Sequence, residues 1–158
     1  LSTLRPPRPL ELVTERSIAN LADSPGAITV AALDVGTLSQ EFYSSEGPTN
    51  GPGGSASGGS IKPDMSGLAN VSTQSYGPSA FNGTSAATPH VSGAAALVLS
   101  AYPTYSPGQL QAFLEGRAVD MGGAGRDVRF GYGRLHLGNP PGSSNTYDYQ
   151  IHLPAVFK

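Results

Sequence analysis

The sequence predicts an α/β protein in which a short parallel sheet packs against a buried central helix that begins at a serine. Three stretches carry that expectation. "AITVAALD", Ala27 to Asp34, is a compact apolar run containing Ile and Val, the pattern of a strand covered on both faces as in a parallel sheet. "SAATPHVSGAAALVLSAY", from Ser85 to about Tyr102, is nearly all small or apolar, and a helix apolar all round is a buried one. "SPGQ", Ser106 to Gln109, reads as the start of a second helix: Ser106 as N-cap, Pro107 at the first helical position, and Gln109 completing a capping box.

The elements follow in order. Leu1 to Pro25 reads as irregular, with Pro6, Pro7 and Pro9 interrupting it. The strand at Ala27–Asp34 comes next. "EFYSSEGP" is a short extended piece ending in a turn. "TNGPGGSASGGS", Thr49 to Ser60, is rich in Gly and Ser and reads as a flexible surface loop, open to proteolytic nicking near Pro52 to Ser60. Order resumes with "IKPDMSGLANVSTQS", in which Leu68 to Thr73 is a strand leading toward the serine. The two helices follow, the second with Leu110, Phe113, Leu114 and Ala118 on one face. "MGGAG" ends it. "VRFGYGRLHL" is an extended segment in which Gly131 and Gly133 allow close packing. "NPPGSSN" marks a boundary, and the tail alternates Tyr147, Tyr149, Ile151 and Leu153, as a short strand or docking segment would.

The totals exclude several classes. At 158 residues, 38% hydrophobic and 13% charged, the chain has enough apolar material for one packed domain and too little charge for a disordered one. A net charge of −2, with the Arg and Lys residues scattered, leaves no basic stripe for nucleic acid. No apolar run is long enough to span a membrane. The absence of cysteine removes disulfides, thiol catalysis and cysteine–zinc sites. The three histidines do not cluster, so no metal site is expected.

The chemistry concentrates in "FNGTSAATPH", Phe81 to His90. A serine hydroxyl becomes a useful nucleophile only with a base in hydrogen-bond reach and donors aimed at the developing oxyanion. A helix start supplies the donors, because its first N–H groups lack intrahelical acceptors and carry partial positive charge. Asn82-Gly83-Thr84 is a tight turn able to present Ser85 at such a terminus. A Ser before an Ala-rich helix is also a common cap, so the turn alone leaves the catalytic reading open. Anion binding at Gly83–Ser85 is set aside, since no phosphate-loop Lys follows.

The full wording goes further. "GTSAATPHVSGAAALV" resembles the nucleophile motif of the subtilisin-like serine peptidases, the subtilases. "PGAITVAALD" resembles the strand that precedes it in that family. "FYSSEGP" is similar to the family's Phe-Ser-Ser-x-Gly-Pro turn, with Tyr43 inserted or substituted. "KPDMSGLANVSTQS" resembles its Pro-Asp…Ala-Pro-Gly…Ser-Thr segment, without the Pro. "YPTYSPGQLQAFLEGRAVDMG" and "FGYGRLHL" resemble the closing helix and strand. The likeness runs from about Ser17 to Gly138. It implies three parts: an irregular segment 1–16, the C-terminal part of a subtilase catalytic domain at 17–138, and an appended tail at 139–158. The implied fold is a partial doubly wound parallel sheet of subtilisin-like type, with the buried helix after the serine.

The same resemblance implies the roles. Ser85 is the acylating nucleophile, and its N–H is one oxyanion donor. Thr84 supports the oxyanion site. Phe81 and Asn82 line the substrate cleft, and the substrate is a polypeptide. Ala86 stands where many subtilases carry an oxidisable Met. The family's Asp, His and oxyanion Asn belong to segments N-terminal to "AITVAALD", and no Asp-Thr-Gly, His-Gly-Thr-His or Ala-Gly-Asn pattern occurs in this sequence. Asp23, Asp34 and Asp64 read as turn and strand-end residues. His90 lies about 140° around the helix from Ser85 and reads as structural; His136 and His152 read as surface or packing residues. The chain is therefore expected to be inactive alone and to need the missing N-terminal half of the domain, or to self-associate through the apolar surface left bare. The family admits structural calcium, which nothing in this segment supports, and no cofactor is implied. An extracellular location follows from the family alone. The alternative is a non-catalytic subtilase-like scaffold or binding module.

Overall fold

A computed structural model describes residues 14–138. The expectations for the first residues, for the Tyr147–Leu153 alternation and for His152 lie outside the described residues.

Strand β1 (Val30–Asp34) forms within the apolar run, beginning three residues later than its first residue. It pairs in parallel with β2 (Met65–Ala69), Val30 opposite Met65 and Asp34 opposite Ala69. Ala31, Ala32 and Leu33 are successive in sequence and all buried, so both faces of β1 are covered. The strand expected at Leu68–Thr73 is in fact two. Asn70 adopts φ 57, a left-handed turn that an Asn tolerates, and it ends β2 and redirects the chain into β3 (Val71–Thr73). β3 turns back antiparallel onto β4 (Gly77–Phe81), with Val71 opposite Phe81. Among the described residues each sheet has two strands. The pair β1–β2 is what they contain of a parallel sheet, and no doubly wound sheet is assembled within them.

Helix α1 (Thr84–Ala101) starts directly after β4 and matches the expected span to one residue at each end. Its small side chains bring it down onto the sheet. Ala86 and Ala87 join Ala32 and Ala69 in one buried cluster. A Cβ added at Gly67 of β2 would lie 2.3 Å from the Ala87 carbonyl oxygen. Further along, Val91, Ala94 and Val98 pack with Met65 and with Leu114 of helix α2 (Pro107–Glu115). Among the described residues the helix is covered on this face, while Leu97 is 65% exposed and Leu99 is exposed too. The small, apolar composition thus reports a helix that fits tightly against the sheet, without one that is enclosed all round.

α2 begins as its sequence dictates. Gln109 N–H donates to Ser106 Oγ at 3.3 Å, and Ser106 N–H donates to Gln109 Oε1 at 2.9 Å. The segment after it is extended but forms only isolated bridges, with Ser66 and Val119 each meeting Arg134. Gly131 permits this approach, since a Cβ there would fall 2.3 Å from Asp64 backbone atoms. The Gly/Ser loop is exposed at its tip and clamped at its base, where Thr49 N–H donates to the Ser60 carbonyl at 2.9 Å and Ser60 N–H to Thr49 Oγ1 at 2.8 Å.

Candidate active site

The β3–β4 hairpin delivers Phe81 to the mouth of α1. Tyr76, in the hairpin turn, stacks on the Phe81 ring with centroids 4.9 Å apart and planes 19° apart. Asn82 is exposed and begins the turn. Gly83 is the N-cap of α1, at φ 84 and ψ 167, a backbone region that a side chain would make costly. Among the described residues no side chain caps the helix here. The first-turn N–H groups therefore lack the usual side-chain acceptor, and the positive end of the helix faces outward.

Thr84 and Ser85 are the first two residues of α1, and both are exposed. Immediately beyond, Ala86 and Ala87 are buried against β1 and β2. The Ser85 hydroxyl consequently stands at the solvent edge of an element held from beneath by packed side chains. Pro89 lies in the second turn, where the bond lost is only the Ser85 carbonyl's. The four residues singled out from sequence, Phe81, Asn82, Thr84 and Ser85, are thus contiguous in space as in sequence, at one hairpin-to-helix junction.

His90 and His136 have partners of their own. His90 Nδ1 donates to the Ala86 carbonyl at 2.8 Å, so its ring is turned along its own helix. His136 Nδ1 accepts from Gly138 N–H at 3.1 Å. Among the described residues no side chain forms a hydrogen bond with Ser85 Oγ, and no three His, Asp or Glu side chains gather as metal ligands. No helix among them is long and apolar enough to cross a membrane.

A groove of about 320 Å³ opens beside the first turn of α1. Thr84 and Thr88 line one side, Ile28 and Val30 another, and Ile18 and Ala22 a third. Its walls are mostly apolar and it reaches the N-terminal end of β1.

Two carboxylates have structural partners. Asp34, the last residue of β1, accepts from Asn70 Nδ2 at 2.7 Å, from Thr37 N–H at 2.7 Å and from Gly36 N–H at 3.0 Å. The Asn70 side chain above all, then the Thr37 contacts, hold its carboxyl below the usual carboxylate value of 3.8, at about 2. Asp64 is more than a turn residue. It is 1% exposed and grips Lys62 Nζ and Arg126 Nη2, each at 2.6 Å, while accepting from Thr29 N–H at 2.7 Å. Lys62 also donates to the Ala27 carbonyl at 2.7 Å, so this ionic knot ties the entry to β1 to the entry to β2.

One contact at the junction escaped the sequence. Gly83 N–H donates to the Tyr43 hydroxyl at 2.9 Å. The Phe81–Tyr76 stack did as well. Partners 40 residues apart leave no local pattern, and Tyr76 and Phe81, five residues apart across the start of β4, do not fall at the even spacing that marks one face of a strand.

Comparison with known proteins places these residues in a lineage. The model of the subtilase family matches residues 11–133. Fervidolysin of Fervidobacterium pennivorans is 33% identical over an alignment 128 residues long that covers 73% of this chain and 18% of fervidolysin. Subtilisin E of Bacillus subtilis (strain 168) is 56% identical over 43 residues, 27% of this chain and 11% of that protein. The crystal structure of a psychrophilic subtilisin-like protease from the Antarctic psychrotroph Pseudoalteromonas sp. AS-11 is 51% identical over 36% of this chain and 13% of its own, with a TM-score of 0.35. The chain thus spans less than a fifth of the length of each of these relatives. With more than two thirds of its length matched by one family model, the chain belongs to the subtilase family of serine proteases.

Proposed function

We propose that residues 17–138 are the C-terminal part of a subtilisin-like endopeptidase domain, that 139–158 are an appended tail, and that Ser85 is the nucleophile. The carrying observation is the placement of Ser85: an exposed hydroxyl in the first turn of a helix whose next two residues are buried. Ser85 Oγ attacks the scissile carbonyl of a polypeptide and passes its proton to a base. The Ser85 N–H stabilises the resulting oxyanion, with Thr84 beside it. As the tetrahedral intermediate collapses, the base gives its proton to the leaving nitrogen, the amine departs, and an acyl ester remains on Ser85. Water then hydrolyses the ester and frees the serine. Phe81 and Asn82 flank the peptide chain.

The base, the residue that orients it and a further oxyanion donor come from a segment upstream of this one. The groove beside Thr84, reaching the N-terminal end of β1, and the exposed Leu97 and Leu99 of α1 support such a complement; self-association would cover the same groups. Secretion is proposed with the family.

A fluorophosphonate probe tests the reading. The natural full-length protein should be labelled at Ser85 and should hydrolyse a generic peptide substrate, both lost in Ser85→Ala; the isolated 158 residues should do neither to a measurable rate. Hydrolysis by the isolated chain that depends on Ser85 would contradict the need for a complement.

The second reading is a non-catalytic scaffold. It requires that the encoded sequence ahead of Leu1 contain neither Asp-Thr-Gly nor His-Gly-Thr-His, and that the full-length protein resist the probe.

A further inference from the structure

Gly83 turns the chain from Asn82 into the serine-bearing helix. At φ 84 and ψ 167 it sits in a region that glycine enters freely and other residues resist, so contacts around it must select this conformation from the several open to it. Two peptide planes flank it. The one on its C-terminal side is fixed by the helix, since the Gly83 carbonyl accepts from Ala86 N–H at 3.0 Å and from Ala87 N–H at 3.4 Å. The one on its N-terminal side carries the Gly83 N–H, which donates to Tyr43 Oη at 2.9 Å.

The Tyr43 ring is itself held. It packs against the buried cluster of Ala32, Ala69, Ala86 and Ala87. Phe42 meets it edge-on, with centroids 5.2 Å apart and planes at 74°. The next residue, Ser44, is buried and its Oγ accepts from Ala32 N–H at 3.0 Å, which roots the segment on β1. The Phe-Ser-Ser-x-Gly-Pro turn that this segment resembles has no oxygen at the aromatic ring directly before the serines. Tyr43 adds one, and that oxygen is the atom Gly83 uses.

We propose that Tyr43 is a positioning residue for the Ser85 nucleophile: its hydroxyl tethers the Gly83 amide and so fixes the rotation of the Asn82–Thr84 turn that presents Ser85. The inference rests on the reading of Ser85 as the nucleophile. Without the tether the 82–83 peptide plane is free to rock, and the hydroxyl two residues on samples geometries in which it cannot attack. A positioned group loses rate when its geometry loosens, while binding of the substrate at the cleft is little changed.

Tyr43→Phe removes the oxygen and keeps the ring. In the natural full-length protein, hydrogen–deuterium exchange resolved to Gly83 should accelerate about three- to tenfold, the worth of one neutral hydrogen bond, with Val91 to Val98 unchanged. The kcat for a peptide substrate, and the rate of phosphonate labelling at Ser85, should fall about three- to tenfold with KM within about twofold. Tyr43→Leu, which loses ring and oxygen, should exchange as fast at Gly83 as Tyr43→Phe. Unchanged exchange at Gly83 in Tyr43→Phe overturns the tether. Faster exchange with unaltered kcat and labelling overturns the positioning role. A parent protein that neither hydrolyses nor labels overturns the nucleophile reading and this inference with it, a result distinct from either of the others.

Discussion

Replacing Gly67 with alanine strikes the contact on which the height of α1 above the sheet depends. The added Cβ would sit 2.3 Å from the Ala87 carbonyl oxygen and 3.0 Å from its carbon, about 1 Å inside ordinary van der Waals separation. Both atoms are backbone, so no side chain can swing aside. Either β2 or the first turn of α1 must move by roughly that distance, at a cost of about 1–3 kcal/mol for overpacking a buried contact. Ser85 is two residues from Ala87 and moves with it. A displacement of about 1 Å at a reacting group costs on the order of 100-fold in rate. Gly93→Ala is the matched control: it lies on the exposed face of the same helix with nothing within 4 Å of its added Cβ. It should stabilise by about 0.5–1 kcal/mol through helix propensity alone. Urea unfolding followed by circular dichroism reads the stability of each variant, and phosphonate labelling of the full-length protein reads the rate. A Gly67→Ala protein as stable as its parent and labelled as quickly would refute the argument that backbone contact at Ala87 sets the serine's place.

Three further perturbations act on separate contacts. Asp64→Asn leaves the buried Lys62 ammonium and the Arg126 guanidinium without their counter-charge, and thermal unfolding should show a loss of about 3–5 kcal/mol; a loss under about 1 kcal/mol would mean that water reaches the knot. Ser106→Ala breaks one arm of the α2 capping box and should cost about 1 kcal/mol by the same assay, with Ser106→Gly costing less. The folded carboxyl of Asp34 titrates at about 2 against 3.8 for the free group, so the stability it contributes is fully present above about pH 5 and is lost as the pH falls through 3.8 toward 2. The acid limb of a melting-temperature profile between those values should be shallower in Asp34→Asn, and an unaltered limb would argue against the Asn70 and Thr37 bonds.

What the sequence disclosed and what it withheld divide along the distance between partners. The capping box of α2 lies within four residues and is legible in the sequence because caps are local, whereas α1, which has no side-chain cap, starts one residue before the Ser85 that the sequence indicates. The core run of β1 was legible for the same reason. The sequence points to β2 three residues too late, since Met65-Ser66-Gly67 has no apolar alternation and is held by a partner distant in sequence, Ser66 N–H donating to the Gly133 carbonyl at 2.9 Å. The break at Asn70 and the strand β4, written in Gly, Pro, Ser and Ala, hide in residues of low strand propensity. Burial of α1 was read from composition, which says how closely a helix can be approached but not on how many sides. The Asp64 knot spans residues 62 positions apart and the Tyr43–Gly83 bond 40, so neither leaves a local signature.

The clamp beneath the Gly/Ser loop separates the loop's length from the domain's architecture. Gly51 and Gly59 are fixed by contact, since a Cβ on either would meet backbone within 1.8 Å, and the Thr49–Ser60 bonds close the chain below them. Everything between Pro52 and Ser57 is exposed and can change in length at a cost that grows only with the logarithm of the number of residues. A peptide tag or a whole recognition module spliced there would dangle from a fixed doorway, giving immobilisation chemistry or lineage diversification a port that leaves the serine's scaffold untouched.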